Sequence, residues 1–203
     1  MADKILMNKN ALADLKSDLK EYNTALPVFE MKEQQLKESV QLVEKNIERL
    51  QSLIEQTNND VQGWAAVMAE DQINIAELIS VRQVNTVERE ITGVTLEAFL
   101  NIDFEPIELD LLTTPLWADT AVESIVQQKT NRTLLSIEER NLAALQEELV
   151  EARRMKNALQ EVFIPEAREN IRKIEIYLGD VERLAIGCAK LVKKKKQDKR
   201  AAL

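Results

Sequence analysis

The sequence predicts a mainly α protein: two long helices in an antiparallel coiled coil, with a short helix and a β-hairpin inserted between them. Three observations carry this expectation. Apolar residues recur every 3.5 residues on average in two separate stretches. Two β-rich runs flank one Thr-Gly pair between those stretches. Turn-forming residues are scarce, with 4 Gly and 4 Pro in 203 residues, so few connections are available.

The first stretch starts at Leu12. Alternate steps of three and four give Leu12, Leu15, Leu19, Tyr22, Leu26, Phe29, Glu33, Leu36, Val40, Val43, Ile47, Leu50 and Ile54, with only Glu33 breaking the apolar row. Over about six heptads at about 1.5 Å per residue, the row extends for roughly 60 Å. One narrow stripe cannot bury itself, so the helix requires a partner. Asn10 is placed to cap its start by accepting a backbone N–H of the first turn. Pro27 falls inside the row. It removes one backbone hydrogen bond and should kink the helix without ending it, because the heptad phase continues on both sides. The row fades at Gln56 to Asp60, with Gly63 after it, which reads as a weak spot or bend. Helical spacing returns from Trp64 to Ile79.

From Val81 to Leu112 the texture is different. Val81, Val84, Thr86, Val87, Ile91 and Thr92 precede Gly93, and Val94, Thr95, Leu96, Phe99, Leu100, Ile102 and Phe104 follow it. Two such runs about Thr92-Gly93 predict a hairpin, which needs support from the helices or from another protein chain because a lone hairpin is marginal in water. Pro106 closes the region. Thr114-Pro115 then marks a helix start, a capping hydroxyl followed by proline at the first helical position.

A polar patch, Gln127 to Thr133, leads into the second row: Leu142, Leu145, Leu149, Ala152, Lys156, Leu159 and Phe163. Beyond Pro165 it resumes as Ala167, Ile171, Ile174, Leu178, Val181, Ala185, Cys188 and Val192. Consecutive steps of four around Phe163, Ala167 and Ile171 shift the phase there. Two rows of similar length joined by an insertion most simply fold back on each other; the alternative is pairing of each row with another copy of the chain. The organisation expected is a long helix over 1–60, a middle region over 61–113, a second long helix over 114–192 and a basic tail over 193–203.

Charge and composition narrow the function. The net charge is −8, made of +5 on residues 193–203 and −13 on the rest. An acidic chain with a basic tip repels phosphate along most of its length, which argues against general nucleic-acid binding. Four scattered glycines rule out the Gly-x-x-x-x-Gly-Lys and Gly-x-Gly-x-x-Gly phosphate loops, and no cofactor is expected. With no histidine and one cysteine, histidine-based or multi-thiol metal sites are excluded. Carboxylate pairs such as Glu138-Glu139 and Glu147-Glu148 read as a solvated helix face, so no catalytic residue is assigned. No run of 18 apolar residues occurs, and the Met-Ala-Asp-Lys start lacks the apolar run of a signal peptide; a cytosolic chain is expected. Trp64 and Trp117 are expected in the core of the middle region, and Cys188 in the packing of the second row.

Arg153-Arg154-Met155-Lys156-Asn157-Ala158-Leu159-Gln160-Glu161-Val162-Phe163-Ile164-Pro165 resembles the arginine-rich, Asn-Ala-Leu, Ile-Pro stretch of the D subunit of the V-type and A-type ATPases (ATP synthases). Asp180-Val181-Glu182-Arg183 and the lysine-rich end are similar as well. So is Thr114-Pro115-Leu116 with Asp119 and Ala121. The hairpin about Gly93 falls where that family carries its insertion. Met155 and Lys156 replace an arginine and a valine common in the family, Gln160 a glutamate, and Asn8-Lys9-Asn10 a Pro-Thr start. Leu26-Pro27-Val28 resembles the divergent bacterial branch.

The resemblance implies a non-catalytic rotor axle in a ring of three catalytic A and three non-catalytic B subunits. It also implies a small stalk partner, the F subunit, on its side and a funnel-shaped subunit above the membrane rotor ring. The membrane would be reached only indirectly, from its cytoplasmic face, with no nucleic-acid partner. Candidate partner contacts are Arg153, Arg154, Asn157, Leu159, the tail residues Lys193, Lys194, Lys195 and Lys196, and Ile91, Gly93 and Val94 of the hairpin. The plainer reading of the two arginines is ion pairing with Glu147, Glu148 or Glu151. A second class of function, a homodimeric coiled-coil scaffold or tether, requires neither the hairpin nor the Asn-Ala-Leu motif.

Overall fold

The computed structural model describes residues 6–68, 79–105 and 117–201. In order these form helix α1 (Lys9–Met68), strands β1 (Val81–Ile91) and β2 (Val94–Phe104), helix α2 (Ala118–Ala158), a π-helical turn (Leu159–Phe163) and helix α3 (Ile164–Ala201). Two compact units result: Met1–Met31 with Ala152–Leu203, and Lys32–Glu151.

In the first unit, α1 starts two residues earlier than its expected capping residue would place it. The Oδ1 of Asn8, not Asn10, accepts the Ala11 N–H at 2.7 Å, and Asn10 already lies inside the first turn. Lys9 pairs with Glu182 at 3.6 Å and Lys16 with Glu175 at 2.7 Å, while the Tyr22 and Phe163 rings meet with centroids 5.6 Å apart. Rising numbers on α1 against falling numbers on the other helix define an antiparallel pair within one chain. Leu12, Leu15, Leu19, Tyr22, Leu26 and Phe29 are all half-buried, as their spacing predicts. α1 continues as one helix through Pro27.

The second row departs from expectation at two places. Phe163 is 41% exposed, and Ile164 takes its place in the row at 6%. The reason is the π turn: the Ile164 N–H donates to the Leu159 carbonyl, five residues back, so the helix takes in one extra residue before Pro165. Ala167, Ile171 and Ile174 then follow as buried residues. From Val181 onward the row is exposed, Cys188 included, because Glu182 is already opposite Lys9, at the first turn of α1. The basic residues Lys193 to Lys196 continue α3 as helix.

In the second unit, Leu36, Val40, Val43 and Ile47 are buried on α1, and Ile137, Asn141 and Leu145 on α2. The interruption in the row, Glu33, is buried and holds Lys37 at 2.7 Å. Lys32 pairs with Glu148, and Gln128 donates to the Asn58 side chain, which again sets the helices antiparallel. Helix α1 runs without a break through Gln56 to Asp60, where a weak spot or bend was expected. Thr57 Oγ1 donates to the Leu53 carbonyl at 2.9 Å and Asn58 is engaged by Gln128, so the polar residues are satisfied without breaking the helix.

A small core gathers Ile79, Ala118 and Ala121 with Phe104, Trp117, Val122, Ile125 and Val126, and Lys129 donates to the Ile79 carbonyl. Trp117 therefore has the core role its sequence position suggests. The Trp64 side chain, residues 69–78 of the run to Ile79, Pro106 and the Thr114-Pro115 start lie outside the described residues.

Leu36 and Leu145 are both fully buried. Replacing either with alanine is expected to cost about 2–5 kcal/mol, through lost transfer energy and the cavity left behind. Leu42→Ala, at a site 62% exposed on the same helix, should stay within about 0.5 kcal/mol. Chemical denaturation of the three variants checks this.

Candidate functional site

The hairpin follows from its turn. Thr92 and Gly93 have φ of 55° and 84°, both left-handed, and the two-residue loop pairs Ile91 with Val94. That geometry matches the right-handed twist of the strands, with glycine serving the second left-handed position. Register continues through Arg89↔Leu96, Glu88↔Glu97 and Val87↔Ala98, with irregularities between Val81 and Gln83 and between Asn85 and Thr86. At the far end Asn85 donates to Asn101 at 2.7 Å and to Asp103 at 3.0 Å.

Alternation along the ladder decides how the hairpin is carried. Ile91↔Val94 next to the turn is a hydrogen-bonded pair, so three steps on Glu88↔Glu97 is not. The N–H and C=O of Glu97 therefore point away from β1. Asn141 on α2 collects both: its Oδ1 accepts the Glu97 N–H at 2.9 Å, and its Nδ2 donates to the Glu97 carbonyl at 2.9 Å. The side-chain amide acts as a short extra strand on the open edge of β2. Glu88 and Glu97 are like charges placed opposite each other, a cost that Arg140 offsets by binding the Glu97 carboxylate at 2.8 Å. Val94 and Leu96 are buried. Most of β1 is exposed, including Val84 and Val87. Sequence reasoning missed Asn141. A signal existed, since Ile137, Asn141 and Leu145 lie four apart on one helix face.

The expected contact residues fall into three groups. Ile91, Gly93 and Val94 surround the hairpin turn: Gly93 is exposed, Ile91 half-buried and Val94 buried. Arg153, Arg154 and Asn157 lie exposed in the last turns of α2, with Leu159 buried in the row beside them. Lys193, Lys194, Lys195 and Lys196 lie exposed near the end of α3, following Leu184, Ile186, Leu191 and Val192, each more than half exposed. The hairpin group belongs to the second unit; the other two belong to the first.

These features define a class: a mainly helical protein whose two long helices pair within one chain, with a two-strand antiparallel hairpin between them. The family model for the ATP synthase D subunit matches residues 11–194. The D subunit of the V-type ATP synthase from Borreliella burgdorferi is 31% identical over 191 residues, covering 94% of both chains. Those of Chlamydia caviae and Chlamydia abortus are 27% and 24% identical, each covering 98% of this chain and 97% of its own length. The chain belongs to the ATP synthase D-subunit family. Members of that family are the non-catalytic, central-stalk component of the V-type ATP synthase. No described helix is long and apolar enough to cross a membrane.

The latch can be tested at two residues. Asn141→Ala leaves the Glu97 N–H and C=O without their partner. It should cost about 1–3 kcal/mol and accelerate amide exchange at Glu97 ahead of the α1 amides. One turn back, burial holds the Glu138 carboxyl above the usual carboxylate range, while its hydrogen bond with Asn141 pulls it down. A carboxyl raised in the folded state contributes stability below its unfolded pKa, and that contribution is lost as pH rises through the folded value. Glu138→Gln should therefore be neutral or stabilising by a few tenths of a kcal/mol at pH 7, since solvent screens the half-buried group. It should also remove the stability gain near pH 4; denaturation at both pH values checks this.

Proposed function

We propose that this chain is the rotor axle of a V/A-type rotary ATPase. In this role it couples ATP hydrolysis or synthesis in a ring of catalytic A and non-catalytic B subunits to ion transport across the membrane. Its other partners are the small F subunit of the stalk and the funnel-shaped subunit above the membrane rotor ring. It works on the cytoplasmic side and meets the membrane only through that assembly. The observation that carries this reading is the antiparallel pairing of a chain of this family with itself. Lys9–Glu182, Lys16–Glu175 and Tyr22–Phe163 in one unit, and Lys32–Glu148 in the other, pair the α1 row with the second row up to Leu178 without a second copy. A homodimeric scaffold would instead need those rows for its own interface.

Torque requires that the ring feel the axle's angle. Arg153, Arg154 and Asn157 supply charge and hydrogen-bonding capacity on an exposed helix face. The α3 end supplies an apolar surface with a cationic tip, fitted to an apolar bearing rimmed by carboxylates. Ile91 and Gly93 present the hairpin turn, and the buried Val94 and Leu159 fix the surfaces beside them.

Ion transport per ATP, measured in vesicles carrying the assembled complex, tests this reading. Removing residues 193–203 should lower coupling while helical content falls only by the residues removed. An exposed charge contact is worth about 0.2–1 kcal/mol. Replacing Arg153 and Arg154 together with alanine, two such contacts, should therefore slow turnover about two- to thirty-fold. Unchanged coupling in vesicles depleted of this chain would refute the axle.

A further inference from the structure

The first unit places three disruptions of helical hydrogen bonding near one another along the paired helices. Pro27 removes one backbone donor from α1, the π turn Leu159–Phe163 interrupts the opposite helix, and Pro165 follows two residues after that turn. The ring contact between Tyr22 and Phe163 fixes their level, with Pro27 between one and two turns along α1 from Tyr22. Beside the rings is a groove of about 140 Å³, bounded by Leu15, Asp18, Asn170 and Glu166.

The buried row explains why an extra residue is present. Before the turn the buried positions are Ala152 and Leu159; after it they are Ile164, Ala167, Ile171 and Ile174. The second set advances by three, four and three, an unbroken heptad pattern, but Leu159 to Ile164 is a step of five. A continuous α-helix with that sequence would place everything after Leu159 about 100° out of phase, because each residue turns the helix by that angle. The π turn absorbs one residue and returns Ile164 to the face of Leu159. Proline alone does not account for it, since α1 carries Pro27 through continuous α-helix.

We propose that the π turn Leu159–Phe163 is a phase compensator that also makes this level the flexure of the paired helices. It keeps the buried row continuous, and the price is a turn with fewer and longer-range hydrogen bonds, next to a proline that donates none. Opening and twisting of the pair start there, while the rows on either side stay closed.

Amide hydrogen exchange on the full chain and two variants tests this. In the parent, amides of residues 160–168 are expected to exchange at least about ten-fold faster than those of 146–156 and 170–178. Pro165→Ala alone should leave that difference in place, because the phase still requires the extra residue. Deleting the exposed Val162 from the Pro165→Ala protein converts the step of five to four. Exchange across the segment should then fall to the level of its flanks, with a thermal midpoint no lower than that of Pro165→Ala. Uniform protection in the parent would overturn the flexure. Full protection in Pro165→Ala, or destabilisation of the deletion variant, would overturn the compensator.

Discussion

A heptad row is too narrow to be buried by the helix that carries it, and everything else in this chain accommodates that constraint. The row on α1 is half-buried from Leu12 to Phe29 and buried from Glu33 to Ile47, and in each unit the covering surface comes from the same chain run in the opposite direction. Pairing within one chain imposes two requirements. The opposing row must remain in phase over its own length, and the segment joining the two helices must be held without opening them. The π turn meets the first requirement and Asn141 the second.

The latch shows how a marginal element becomes a fixed one. Two strands alone leave an open edge on each side and bury little. Here β2 gives one edge to a side chain instead of a third strand, at the ladder position where alternation turns both backbone groups of Glu97 outward. Arg140, the residue before Asn141, removes the repulsion between Glu88 and Glu97. Two adjacent residues of α2 thus set the position of a hairpin that would otherwise be mobile. β1 remains exposed, including the valines at 84 and 87.

Much of this was legible in the sequence because periodicity records burial. Every member of the α1 row is buried or half-buried, and the turn lies at Thr92-Gly93 as the β-rich runs required. The shift near Phe163 was visible as consecutive steps of four. Its form was not, since a π turn changes the residue count per turn, and the row passes to Ile164 instead. Asn141 was hidden because a polar residue on an apolar face looks like an interruption until its partner is known. That partner is backbone, which carries no sequence signal. The exposure of Val181, Cys188 and Val192 was equally hidden, because a heptad pattern does not record where the opposing helix starts. The partner that satisfies Asn58 within the polar stretch Gln56 to Asp60 is Gln128, 70 residues away in sequence.

The chain is a central-stalk subunit whose two long helices pair with each other. Native mass determination on the assembly that accompanies a tagged copy out of detergent-solubilised membranes tests this most directly. One copy of this chain with three copies each of two large nucleotide-binding subunits and a small fourth protein is the predicted composition. Two copies of the chain bound to each other, with no nucleotide-binding subunits at any salt concentration, would contradict it.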